Sequence, residues 1–313
     1  MKAVQILRDV SSPKIAINYS MAKPEPLKSE ILVRVHAAGV TGDEIMWSEL
    51  YKTPSRIPGH EISGTIAAFG PEYSGSLKIG QEVFAFLAAG RGEGQAVYAV
   101  CSDAEIAPKP ASLSYTEAAV LPIPLLTALE AMDYGNTTSD SKVLLTGASG
   151  AVGQQFLQLV KQKAGAHVIA LASTRNHDML LQLGANEVID YAVPDWQKGI
   201  HDVDFVFDTV GGDVLTKTWE TVKSDGTIVT VGDPAPAWAF GREKAAESLT
   251  YPDVRYNYFI VSPNEKRLRE VAQMFDEGVM KPLAVKTYPF DQAVEAWEHA
   301  RQRGRAYKVV IEF

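Results

Sequence analysis

Three groups of residues stand out for the chemistry that their types and spacing allow. The first is the run Leu144-Leu145-Thr146-Gly147-Ala148-Ser149-Gly150-Ala151-Val152-Gly153. It ends an apolar stretch and opens a helical pattern in which Val152, Phe156, Leu159 and Val160 share a face. Glycines there let the backbone turn tightly and approach a pyrophosphate. The helix N-terminus presents free N–H groups and the positive end of its dipole to that anion. The fit is Ala148-x-Gly150-x-x-Gly153, so an alanine stands at the first glycine of G-x-G-x-x-G and Gly147 precedes it. A tight turn without a ligand would use the same residues, but the strand and helix around it favour a dinucleotide. Ser149, Gly150, Ala151 and Val152 are the candidate phosphate contacts.

The second group lies near the end of the next strand. A site for NAD usually carries Asp or Glu roughly 20 residues beyond the glycines, bonded to the ribose 2′-hydroxyl. This chain reads Ala172-Ser173-Thr174-Arg175-Asn176, with no acid in the segment. Ser173 can donate a hydrogen bond, Arg175 can pair with a 2′-phosphate, and Tyr191 can add a hydroxyl. NADP(H) is expected over NAD(H); the alternative is that Arg175 is only a solvated helix-start residue.

The third group is His60-Glu61, in Ile57-Pro58-Gly59-His60-Glu61. A catalytic zinc takes about three protein ligands and an open position. The chain's one cysteine, Cys101, is far along the sequence, and Asp43, Glu44 and Glu61 offer only oxygen. No metal is expected, and His60 is read as a hydrogen-bonded residue lining or buttressing a cleft.

These residues need elements to position them. In the first hundred residues short apolar runs recur at 31–35, 61–66, 82–86 and 96–100, punctuated by Pro58-Gly59 and Ile79-Gly80. They read as a barrel-like β-domain. The pattern changes near 108–114. A helix is expected over 116–132, interrupted at Pro122 and Pro124. Strands follow at 143–146, 168–172, 187–190, 205–208 and 227–231, with helices at 151–163 and 176–183. This alternation implies a parallel sheet covered by helices. A strand at 256–261 would close that sheet. Helices at 265–277 and 291–301 and a last strand at 308–313 complete the chain.

Composition narrows the function classes. With 313 residues, 46% of them hydrophobic and 22% charged, the chain is long enough for two globular domains. A net charge of −8 argues against nucleic acid and anionic membrane as partners. One cysteine makes no internal disulfide. The first residues, Met1-Lys2-Ala3-Val4, lack a signal-peptide pattern, and no stretch approaches the roughly 18 apolar residues of a membrane span. A cytoplasmic protein is expected.

Together the motifs resemble the medium-chain dehydrogenase/reductase superfamily, and within it the zinc-lacking quinone oxidoreductase-like and enone (enoyl) reductase branch. The resemblance rests on Ala38-Gly39-Val40, Ile57 to Glu61 with Ser63-Gly64, Gly80-Gln81-Glu82-Val83 and the glycine run. It rests also on Leu183-Gly184-Ala185-Asn186, Val188-Ile189-Asp190-Tyr191 and Phe207-Asp208-Thr209-Val210-Gly211-Gly212, and so covers nearly the whole chain. It implies an α/β protein: a Rossmann doubly wound parallel sheet at 113–262, a GroES-like β-barrel catalytic domain at 1–112, and a segment at 263–313 returning to that domain. The active cleft would lie between the two domains. It gives Ser173, Arg175 and Tyr191 to the adenosine phosphate. Val210, Val231 and Gly232 go to the ribose and nicotinamide, and Phe259, Ile260 and Val261 to the carboxamide. Arg305 to Lys308 lack the family's glycine before the last strand, so no cofactor role passes to Lys308.

The same resemblance places the segment from Thr41 to Tyr51 near the nicotinamide. Thr41 and Tyr51 would orient an acceptor oxygen and Trp47 would wall the pocket; packing and turn capping are the alternatives for the two aromatics. With His60 these are the candidate catalytic group. The expected activity is NADPH-dependent, metal-independent hydride transfer to a quinone or α,β-unsaturated carbonyl compound, by a homodimer acting on a small molecule. Two other readings stay open: a zinc-dependent alcohol dehydrogenase using His60 and Glu61, and a non-catalytic NADPH-binding regulatory protein.

Overall fold

The computed structural model describes residues 1–7, 12–46, 55–302 and 304–313. The candidate residues Trp47 and Tyr51 lie outside them. The chain divides into two compact units, Met1–Leu126 with Ser262–Phe313, and Thr127–Val261.

The first unit is mainly antiparallel β-structure. Its N-terminal part holds β1 (Ala3–Leu7), β2 (Lys14–Asn18), β3 (Ile31–Val40), β4 (Ser55–Arg56) and β5 (Glu61–Phe69). It continues with β6 (Glu82–Phe86), β7 (Tyr98–Cys101) and β8 (Ile106–Pro108), then the short helix α1 (Tyr115–Ala118). Ser114 caps α1 through a capping box with Glu117, satisfying donors at both positions. The long strand β3 is the spine: it pairs with β5, with β7, and with a strand from the end of the chain. Ile31, Val33, Val35, Ile62, Ile66, Val83, Leu87 and Cys101 form the core beside it.

The expected helix over 116–132 is two helices. α2 (Pro122–Gly135) starts at Pro122, so the prolines open a helix instead of interrupting one. Proline is tolerated in a first turn because its missing N–H had no intrahelical partner there. The division between the units falls inside α2, later than the expected boundary at 112–113.

The second unit alternates as the sequence implies: β9 (Lys142–Leu145), α3 (Ala151–Lys163), β10 (His167–Leu171), α4 (His177–Gln182), β11 (Glu187–Ile189). It goes on with β12 (Val203–Asp208), α5 (Gly212–Thr218), β13 (Val222–Thr230) and β14 (Arg255–Tyr258). All pairings are parallel, in the order β11-β10-β9-β12-β13-β14. That is the doubly wound order, whose ligand crevice lies beyond the carboxyl ends of the strands where the winding reverses, between β9 and β12. One side of the sheet buries Leu144, Ile169, Leu171, Val206, Ile228 and Trp219. Phe156 of α3 packs on Phe207, ring centroids 4.7 Å apart. α3 is buried more widely than a stripe, Gln155 and Leu157 included. The strand expected at 256–261 ends at Tyr258, so Phe259 to Val261 lie beyond it.

The chain ends with α6 (Glu265–Asp276), β15 (Val285–Pro289), α7 (Ala293–Ala300) and β16 (Lys308–Glu312), all in the first unit. β16 pairs antiparallel with β3, Val309 opposite Val40. Trp297 of α7 donates from its indole to the buried Gln95 side-chain oxygen at 2.8 Å, and Gln95 donates to the Gly39 carbonyl. Gln95 therefore ties α7 to the end of β3 that leads into Thr41.

Replacing Trp297 with Phe keeps an aromatic ring but leaves the buried Gln95 oxygen without that donor. A loss of about 1–3 kcal/mol is expected, read as a lower urea midpoint. An unchanged midpoint would show that the bond carries no stability.

Candidate functional site

The nucleotide candidates line one edge of the parallel sheet. Each lies just past the carboxyl end of a strand: Tyr191 after β11, Ser173 and Arg175 after β10, Ser149 to Val152 after β9. Val210 follows β12, Val231 and Gly232 follow β13, and Phe259 and Val261 follow β14. Six neighbouring strands thus present residues far apart in sequence as one row.

At the middle of the row, β9 passes through Gly147 (φ +59°) into α3. A Cβ on Gly147 would stand 2.3 Å from the Thr209 hydroxyl, and one on Gly153 would stand 2.6 Å from the Gly147 carbonyl. Both positions need glycine for different reasons, a left-handed turn and a close approach. Gly150 is the N-cap of α3 and has no side chain to close the helix end. The helix's own bonding begins with Gln154 N–H to the Gly150 carbonyl, 2.9 Å. The amides of Ala151, Val152 and Gly153 precede it, a donor set suited to phosphate oxygens. The side chain of Gln154 donates to the Ser149 carbonyl at 2.8 Å, which steadies the turn.

A fully buried carboxylate, Asp208, holds the row together. It accepts from the hydroxyls of Thr146 and Thr230 and from the amides of Gly211 (2.9 Å) and Val210 (3.3 Å). Thr230 in turn accepts from the Gly232 amide at 3.0 Å, and Thr146 from the Thr209 amide at 3.1 Å. Val210 is left 43% exposed at this edge. Phe259 is buried, its ring against Tyr134 at 5.5 Å, so only its backbone is a plausible contact.

At the outer end of the row, Ser173 opens a short 3-10 turn, Thr174–Asn176, that carries Arg175. The Ser173 hydroxyl accepts from the Asn176 side chain at 3.1 Å. Tyr191 is 54% exposed. The segment itself holds no acid, yet Asp190 reaches over from the end of β11 and bonds Thr174 through both its amide and its hydroxyl. The Thr174 hydroxyl first, then the Ala192 amide, hold the Asp190 carboxyl below the usual carboxylate range.

In the first unit, Thr41 is half-buried at the end of β3, where its carbonyl accepts from the Glu44 amide at 3.1 Å. His60 is buried and both ring nitrogens have partners: Nδ1 lies 3.0 Å from the Leu87 carbonyl and Nε2 3.4 Å from a Glu44 oxygen. Glu44 also accepts from Arg56 at 2.7 Å and from the Gly59 amide at 3.0 Å. Burial disfavours the charge on each group. The mutual hydrogen bonds and charges outweigh it, so Glu44 sits below and His60 above their ordinary values. His60 thus buttresses the turn before β5. Glu61 is buried too; it accepts from the Ile123 amide at 2.9 Å and pairs with Lys308 Nζ at 3.2 Å.

Comparison with known proteins gives this geometry a lineage. Residues 27–120 match the model "Alcohol dehydrogenase GroES-like domain", and residues 183–311 match "Zinc-binding dehydrogenase". A quinone oxidoreductase from Coxiella burnetii superposes with a TM-score of 0.87 at 27% identity, over 100% of this chain and 99% of that one. The chain belongs to the medium-chain dehydrogenase/reductase superfamily. Among curated relatives of this dehydrogenase/reductase is a probable zinc-binding oxidoreductase, mitochondrial, of Arthroderma benhamiae, 28% identical over 91% of the chain and 88% of the relative. The 2-methylene-furan-3-one reductase of Solanum lycopersicum is 27% identical over 95% and 75%. The protein is thus an oxidoreductase of a nicotinamide-dependent family.

The family's zinc does not fit the residues present in this dehydrogenase/reductase. A ligand imidazole must offer a lone pair. Both His60 nitrogens already lie against acceptors, the Leu87 carbonyl and a Glu44 oxygen, and although burial lowers its pKa the Glu44 pairing raises it overall. Glu61 is engaged by Lys308 and Ile123, and Thr41 is no thiolate. Cys101 is buried in the β-core, where burial first and Glu105 second push its thiol far up. Among the described residues no group of three or more His, Cys, Asp or Glu can hold a metal ion.

Asp208, Asp190 and Arg56 are absent from the candidates read from the sequence, and Glu44 stands there only as an oxygen donor for a metal. Their only signal was membership of the motifs around 207–212 and 188–191 and of the turn after β3.

The buried cluster has a pH signature. The His60 value is raised on folding, so its contribution is full below the unfolded imidazole value and fades as pH rises through the folded one. Glu44 does the reverse at the acid end. His60→Gln should therefore cost about 1–3 kcal/mol near pH 6 and distinctly less near pH 9, measured by urea unfolding at both. An equal loss at both pH values would mean that His60 is neutral in the folded protein.

Proposed function

We propose that this dehydrogenase/reductase delivers hydride from NADPH to a quinone or an α,β-unsaturated carbonyl compound, without a metal. The observation that carries the reading is the glycine-lined N-terminus of α3; within the other unit, taken by itself, the ligand atoms of His60 and Glu61 are already engaged. The first suits a pyrophosphate; the second leaves no donor set for a Lewis acid among the described residues.

The residues have separate tasks in this reading. Ser149 to Val152 hold the pyrophosphate, while Ser173, Arg175 and Tyr191 hold the adenosine end. Val210, Val231, Gly232 and the backbone from Phe259 to Val261 set the nicotinamide end, and Asp208 fixes the loops that carry them. When bound, NADPH supplies a hydride. Without a Lewis acid a simple carbonyl is a hard acceptor, because charge builds on one oxygen. In a conjugated acceptor hydride adds to carbon and the charge spreads to an enolate or hydroquinone oxygen, where hydrogen-bond donors suffice. The Thr41 hydroxyl is the described candidate for that oxygen, with Trp47 and Tyr51 as further candidates. His60 is a positioning residue, since its nitrogens are engaged inside the protein.

The relatives support both acceptor classes: one is named for reduction of a methylene furanone, and the structural neighbour is a quinone oxidoreductase. β14 is the last strand of the sheet, an edge along which two copies can pair. The cytoplasm is the proposed setting; separately, no helix among the described residues is long and apolar enough to cross a membrane.

Protein dialysed against a chelator should bind NADPH and oxidise it on addition of a quinone or an enone, at a rate that added zinc does not raise. Activity restored only by zinc would favour the alcohol dehydrogenase reading, and NADPH binding without turnover of either acceptor class would favour the regulator.

A further inference from the structure

The row of nucleotide candidates contains an acid that the linear segment does not. β10 and β11 run parallel, with Leu171 beside Ile189, and the Ala172 amide donates to the Ile189 carbonyl at 3.1 Å. The next residue, Asp190, therefore emerges beside Ala172 and Ser173. That is the place where an acid on the second strand would meet a ribose 2′-hydroxyl. One Asp190 oxygen accepts from the Thr174 amide at 3.2 Å and from the Thr174 hydroxyl, and the other accepts from the Ala192 amide at 2.9 Å. Arg175, the guanidinium suited to a 2′-phosphate, sits on the same turn. The turn that carries this arginine is therefore the one bonded to the Asp190 carboxylate, and the two residue types favour opposite nucleotides.

We infer that Thr174 masks Asp190: by holding the carboxylate against its own backbone and hydroxyl, it keeps the 2′ position favourable to phosphate. The inference deepens the NADPH reading above and rests on it. With three bonds from Thr174 and Ala192, the carboxylate has only about one of its roughly four acceptor positions left for a 2′-hydroxyl. Released, it would accept that bond and turn a charge no longer partly offset by Thr174 towards a phosphate. Thr174 is then a positioning residue for nucleotide choice, acting through Asp190. The turn gains rigidity from the same bonds, because the Asn176 amide closes it on the Ser173 carbonyl at 2.9 Å.

The test is titration of NADPH and NADH into wild type, Thr174→Val, Asp190→Asn and the double variant, by quenching of protein fluorescence. Thr174 is exposed, so valine keeps the shape of the site and removes the hydroxyl. Thr174→Val should weaken NADPH and tighten NADH, moving the ratio of dissociation constants about tenfold towards NADH. Asp190→Asn added to it should restore the ratio to within about twofold of wild type, because the charge is gone while an acceptor oxygen remains. Equal weakening of both nucleotides by Thr174→Val would assign the bonds to turn geometry alone and overturn the inference. So would a ratio that does not move, or a double variant that stays shifted. A wild type that prefers NADH would sink the NADPH reading, and the direction of the Thr174→Val shift would still decide whether the acid is masked.

Discussion

The parallel sheet can present a nucleotide edge because one buried carboxylate gathers its strand ends. Asp208 receives two hydroxyls and two amides from the ends of β9, β12 and β13. A buried charge is tolerated only when its acceptor positions are filled. The need to fill them fixes Thr146 ahead of the glycine turn, Thr230 at the end of β13, and the bend through Val210 and Gly211. The loops expected to flank ribose and nicotinamide take their shape from that demand. The open end of α3 then faces a preset surface, and ordered dipoles are what phosphate binding and hydride positioning both require.

The first unit solves a similar problem with ions. Glu44, Arg56 and His60 are buried together between the end of β3 and the start of β5. This network occupies His60, the residue that looks most like a metal ligand in the sequence. His60 and Glu61, which suggest zinc in a linear reading, are in three dimensions engaged separately, His60 by Glu44 and the Leu87 carbonyl and Glu61 by Lys308 and the Ile123 amide. On the proposed reading, the occupation of those donor atoms goes with chemistry that needs no Lewis acid, and with acceptors that delocalise their own charge.

Much of this was legible in the sequence where the signal is local. The glycine run declares its turn because Gly147 needs a positive φ and Gly153 a bare Cα. The strand–helix alternation from Val143 to Val231 shows because each element buries a face within its own few residues. The β-rich start is marked by its Gly and Pro punctuation. Local signals failed where partners are distant. Asp190 and Thr174 are far apart in sequence but neighbours across β10 and β11, so the segment seemed to lack an acid. Asp208 reads as one motif residue until β9 and β13 bring it their hydroxyls. The prolines at 122 and 124 suggested a broken helix because tolerance in a first turn depends on where the helix starts. β14 stops at Tyr258, which moves Phe259 to Val261 from a strand to its exit.

The central claim is that a nicotinamide held at this edge passes hydride directly to carbon in the absence of metal. The most direct measurement is to supply chelator-treated protein with NADPH deuterated at the transferring position and an α,β-unsaturated ketone, and to locate the label in the product by NMR. One deuterium on the carbon β to the carbonyl is the predicted result. Deuterium on the carbonyl carbon would instead mean alcohol dehydrogenase chemistry, and reduced product free of label would contradict direct transfer.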